Sequence, residues 1–121
     1  MHRFVNLTPH AITIVRDDGS TVNVEPSGVF RLRERDIPKE RIGGVDVVCR
    51  QFYIDPADLA MFDDPTAVYI VSLPALMALE TIRYTLPELA QLTIVAPDTG
   101  SGAVRDSAGN IIGTRRFVVL S

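Results

Sequence analysis

A chain of 121 residues with 46% apolar content and a formal charge of −3 has the size of a single domain, 1–121, and enough apolar matter for a buried core. No apolar run approaches the roughly 20 residues of a membrane-spanning helix, and the opening MHRFVNLTPH holds no secretory apolar segment, so the expected setting is the cytoplasm. Twelve basic against fifteen acidic residues argue against duplex nucleic acid, which rewards a concentrated positive surface, and the single Cys49 excludes an internal disulfide and a cysteine-rich zinc site.

Arg3–Leu7 and Ala11–Arg16 read as short strands separated by a bend at Thr8-Pro9-His10, because proline fixes φ and extends the residue before it. Ile12 and Ile14 alternate with Thr13, Asp17–Ser20 supplies turn residues, and Val22 and Val24 resume the alternation. That pattern predicts a β-hairpin with one wet face. Val29–Arg33 predicts a further strand with Phe30 and Leu32 inward. Arg35–Gly44 is polar, carries Pro38 and ends in Gly43-Gly44, which reads as an exposed loop. Val45–Ile54 is rich in β-branched and aromatic residues and predicts a strand.

Asp55-Pro56 has the chemistry of an N-cap followed by a first helical proline, so a short helix over about 56–62 is expected, stopped by Asp63-Asp64-Pro65. AVYIV at 67–71 is a continuous apolar run of strand length, the expected central strand. Ser72 caps a main helix over about 73–84, with Leu76, Leu79 and Ile82 as its buried stripe. Leu86-Pro87 breaks it, Leu92–Val95 returns as strand, and a Gly-rich loop follows over Ala96–Arg105. A turn at Asp106–Asn110 leads to a last strand, Arg116–Leu120. The sum is an α+β protein, mostly antiparallel sheet with one main and one short helix.

The candidate chemistry gathers late in the chain. Asp98, Thr99, Gly100, Ser101 and Gly102 form a loop whose glycines free backbone amides for an anion, although it lacks both the P-loop and the dinucleotide-binding spacing. A plain surface loop is the competing reading. Arg50, Arg105, Arg115 and Arg116 lie in or beside strands, where a planar guanidinium can hold phosphate or carboxylate bidentately. The alternative is an internal salt bridge, such as Arg105 with Asp98 or Asp106. Tyr53 beside Arg50 offers a stacking surface, or simply core. Thr8 and His10 sit in the first bend, where His10 serves as an acid/base or ligand, or bonds the local backbone. No metal site is expected: His2 and His10 have no ligand partners at the usual spacing, and Asp55, Asp58, Asp63 and Asp64 lack the pattern of a calcium loop. No cofactor is expected either.

Asn6-Leu7-Thr8-Pro9-His10-Ala11-Ile12, Pro26-Ser27-Gly28, Tyr69-Ile70-Val71-Ser72 and the block VAPDTGSGAVRDSAGNIIGTRRF together resemble a family of small proteins of phages, prophages and bacteria with an N-L-T-P-H opening. The likeness spans most of the chain apart from Arg31–Gly44 and Glu80–Gln91, and it carries no activity to transfer. A looser analogy of size and chemistry goes to phage proteins that sequester cyclic nucleotides or cyclic ADP-ribose and blunt bacterial immunity. Three functions are therefore expected in order. The first is a non-catalytic homo-oligomer holding a nucleotide-like anion, such as a cyclic nucleotide or ADP-ribose derivative, at Arg105 and the 98–106 loop. The second is a small enzyme on a phosphorylated substrate with His10 as acid/base. The third is a structural or regulatory protein that binds only proteins.

Overall fold

The computed structural model describes residues 3–120. Its first sheet is built around β6 (Ala67–Ile70), whose four residues are all buried. Strand β1 (Arg3–Asn6) lies parallel to it on one side and β7 (Thr93–Pro97) parallel on the other, with β10 (Phe117–Val118) antiparallel at the outer edge. An all-apolar run is what a strand covered on both faces requires. The pleat then sorts its side chains. Ala67, Tyr69 and Val71 join Leu76, Leu79 and Leu89 in one cluster, whereas Val68 and Ile70 join Ile14 and Val95 in another.

The helical layer is α1 (Leu73–Ile82), a 3-10 turn at Arg83–Thr85 and the single helical turn α2 (Pro87–Ala90). Ser72 caps α1 by accepting from the Ala75 amide, and Leu76 and Leu79 face the core with Ile82 partly buried beside them. The shorter helix is a 3-10 turn, Pro56–Met61, with Asp55 as its N-cap at 3.0 Å from the Ala57 amide. Under the opposite face of the first sheet lies the second, in the order β3 (Thr21–Val24), β2 (Ile12–Val15), β9 (Ile111–Thr114), β8 (Ala103–Arg105). Most pairs are antiparallel, with β2–β9 and the β1–β6–β7 core parallel. The protein is α+β in the expected sense.

Several segments differ from the sequence expectation: β8 falls inside the expected loop over Ala96–Arg105, β9 is a strand of its own ahead of the expected last strand Arg116–Leu120, and of that strand only Phe117–Val118 pairs. Residues 28–32 form no strand; Phe30 is buried there through an irregular backbone whose amide donates to Leu7 O at 2.9 Å. The supposed loop at 35–44 is instead most of β4 (Arg33–Ile42), which pairs antiparallel with β5 (Val45–Tyr53) as a sheet of two strands. Gly43 and Gly44 both have positive φ, 58° and 80°, the geometry of the tight hairpin turn whose twist matches its strands. Every residue of β4, and all of β5 except the half-buried Val47, is exposed. The hairpin is an arm outside the core.

Candidate functional site

The Gly-rich loop joins β7 to β8, and its donors converge on one acceptor within the chain. The Asp98 carboxylate accepts from the Gly100 amide at 2.8 Å, the Gly102 amide at 3.0 Å and Arg116 Nε at 2.6 Å, while the Arg116 Nη2 donates to Ser101 Oγ. The Arg116 guanidinium, then the Gly100 amide, hold this carboxyl below its ordinary value. A Cβ on Gly102 would stand 2.7 Å from both Asp98 Oδ2 and Arg116 Cγ, so glycine is required here by close approach. The Thr114 hydroxyl closes the base of the loop by donating to Asp98 O and Arg116 O. The arrangement is an anion cradle occupied by its own aspartate.

The internal salt bridge to Asp98, the alternative reading for Arg105, is thus made by Arg116. Arg105 instead donates to Gly109 O at 2.7 Å and Thr99 O at 3.5 Å, lacing the loop to the 106–110 turn. Asp106 organises that turn by accepting from the Ala108 and Asn110 amides. Arg115 is tied through its main chain, its amide donating to Gly102 O at 2.8 Å, and its side chain borders an open hollow with Arg16, Asp17 and Asp18.

The N-L-T-P-H bend is organised by Asn6, which is 0% exposed. Its Nδ2 donates to His10 O and Val24 O at 2.8 and 3.0 Å, and its Oδ1 accepts from the Thr8 amide and hydroxyl at 2.9 and 2.6 Å. All four hydrogen-bonding positions of the amide are filled. Thr8 and the carbonyl of His10 are structural parts of this knot. His10 also lines a cleft of about 290 Å³ with Ile12, Pro97, Asp98, Thr99 and Ile112, so the fold does bring His10 to the 98–99 end of the loop.

Arg50 and Tyr53 lie elsewhere, on the arm. Arg50 is held bidentately by Asp36 at 2.8 and 3.0 Å, with Glu34 at 3.7 Å. Cross-strand partners share a face, so the register divides the arm into two unlike surfaces. One carries Arg33, Arg35 and Lys39 beside Ile37, Ile42, Val45, Val47 and Cys49; the other carries Glu34 and Asp36 with Arg50, beside Pro38, Val48 and Phe52. The tip is its most exposed apolar part, with Ile42 at 69% and Val45 at 65%. At the base, where the arm meets α1, Leu32, Tyr53, Ile54, Leu59, Ile82 and Leu86 line a groove of about 390 Å³.

This surface is absent from the sequence reading, although strict charge alternation over Arg33–Asp36 and a Gly-Gly flanked by Ile42 and Val45 were its signals. Among the described residues, no group of three His, Cys, Asp or Glu side chains is placed to hold a metal ion, and no helix is long and apolar enough to cross a membrane. His2 lies outside the described residues. No family model, curated protein or solved structure matches the chain.

Proposed function

We propose that this protein acts by binding protein, without catalysis, and that the β4–β5 arm is its binding element. The observation that supports this reading is the arm's composition against its exposure: Ile37, Ile42, Val45, Val48, Phe52 and Tyr53 all stand in solvent on a two-stranded ribbon. An isolated hairpin is marginally stable in water, and an apolar one is a template for another chain. The arm also carries the devices that limit indiscriminate pairing, a proline in β4 and charges of alternating sign. Selective contact is what such a surface is suited to.

The rival readings have weaker support in the same geometry. An anionic ligand at the 98–102 loop would have to displace Asp98 from both glycine amides and from Arg116. A catalytic His10 would work at a cleft with Ile12 and Ile112 in its walls, with no charge-stabilising arginine among its lining residues. The test is a chain in which the arm beyond Arg35 and Gln51 is replaced by a two-residue turn. Affinity capture from a lysate of the source cells should show proteins, untagged copies of the same chain included, held by the whole chain and lost from the truncated one, with the thermal unfolding of the rest retained. Identical captured sets would refute the reading.

A further inference from the structure

The arm's partner can be read from the balance of surface and charge, given the protein-binding reading above. The chain exposes 7982 Å², whereas a compact monomer of 13.3 kDa exposes about 6,500 Å² by the surface scaling of globular proteins. The excess, about 1,500 Å², exceeds the roughly 800 Å² that each partner buries in a standard stable complex. The chain as a whole thus exposes enough extra surface for such an interface, and β4 and β5, exposed along almost their whole length, are where a partner would cover it.

The arm and the groove at its base have complementary properties. The tip presents Ile42 and Val45; the groove is walled by Tyr53, Ile54, Leu59 and Ile82. Lys39, near the tip, has no salt-bridge partner among the described residues, while Asp55, between the groove-lining Ile54 and Pro56, stands 3.8 Å from an Arg33 guanidinium that Asp58 already holds with both its oxygens. A ten-residue strand is about 33 Å long, far too stiff and extended for the tip to fold back on its own base. Two arms laid antiparallel bring each tip to the other's base, and a two-fold contact of this kind closes without open ends.

We infer that two copies of this chain exchange arms, each seating Ile42 and Val45 in the groove at the base of the other's arm. Cys49 lies near the middle of β5, on the face that carries Ile37 and Val47, and therefore falls close to the two-fold axis. The same geometry sets Lys39 of each copy towards Asp55 beside the other's groove.

The experiment combines solution mass with cross-linking through Cys49. Light scattering of the purified full chain should give twice 13.3 kDa, and a short bis-maleimide should convert it to a covalent dimer through Cys49. The double variant Ile42→Asp with Val45→Asp, both positions being solvent-exposed, should run as a single chain, fail to cross-link, and keep its thermal transition. A wild type that stays single at the highest soluble concentration would overturn the inference, as would a dimer that the double variant leaves intact or one that Cys49 cannot bridge. A single-chain wild type would still leave the arm-dependent capture of other proteins to stand or fall by itself.

Discussion

Arg116 Nε stands 2.6 Å from Asp98 Oδ2, and this contact joins two points eighteen residues apart in the chain. It pins the end of β7 to the start of β10, next to a backbone bond from the Asp98 amide to Arg116 O at 3.1 Å. Because the same carboxylate also takes two glycine amides, one side chain closes the loop and neutralises the guanidinium. Exposed ion pairs contribute little; here the carboxylate side is 13% exposed, and its backbone partners make it a structural keystone of the C-terminal sheet.

Gly102→Ala should therefore destabilise the protein by about 1–3 kcal/mol, the range for overpacking a close contact. The added methyl meets Asp98 and Arg116 at 2.7 Å, whereas Gly109→Ala meets nothing within 4 Å and is opposed only by its positive φ of 86°. Urea unfolding of the two variants side by side measures the difference. A negligible loss in Gly102→Ala would show that Asp98 and Arg116 give way to the methyl, since Gly102 has no positive φ to strain the backbone.

Removing the internal anion should expose the cradle. In Asp98→Ala the amides of Gly100 and Gly102 lose their acceptor and Arg116 loses its counterion. We expect a lower melting temperature in chloride, with partial recovery in phosphate or pyrophosphate at matched ionic strength. The wild-type chain should show no such preference. Thermal scans in the two salts decide it, and absence of any phosphate effect in the variant would mean that the loop collapses once Asp98 is gone.

Asn6→Ala should cost about 1–3 kcal/mol, because it removes a fully buried amide and takes its hydrogen bonds from the Val24 carbonyl and the Thr8 amide, while the His10 carbonyl keeps the Thr8 hydroxyl at 3.0 Å. His10→Ala should change stability by less than about 0.5 kcal/mol, since only its main-chain carbonyl enters the knot. Chemical denaturation of both reports the contrast. A costly His10→Ala would assign the bend to the ring instead.

Stability should decline modestly on acidification through the range just below pH 4, the groups involved being screened by solvent. The Thr66 hydroxyl and amide, then Arg3, hold the Asp64 carboxyl down to about 2, from an ordinary 3.8, and Asp98 is lowered by Arg116 and the glycine amides. A carboxyl with a depressed folded pKa stabilises the fold above its unfolded value and loses that contribution as pH falls through the folded one. The window is thus from about pH 4 down to about pH 2. Thermal unfolding across that range should show a shallower decline in Asp64→Asn than in the wild type.

Local chemistry was enough to write much of this fold from the residues alone. The apolar AVYIV run marked β6, Ser72-Leu73-Pro74 and the Leu76–Leu79 spacing marked α1, and Asp17–Ser20 marked the β2–β3 turn, because burial, capping and turn geometry act within a few residues. Three things lay beyond that reach. Arg35–Gly44 looks like a loop when strand is equated with apolar alternation, since a ribbon exposed on both faces alternates in charge instead. Asp98 follows β7 and Arg116 precedes β10, and only the pairing of those two strands brings them together and shows that the loop's amides serve the chain's own carboxylate. Lastly, Ile42 reads as part of a loop and Val45 as an ordinary strand residue on paper, and only a tertiary structure that pairs them and leaves them uncovered makes them a surface for something else. Pair distances in space decide which donors remain free and which apolar groups remain wet, and a one-dimensional pattern does not contain them.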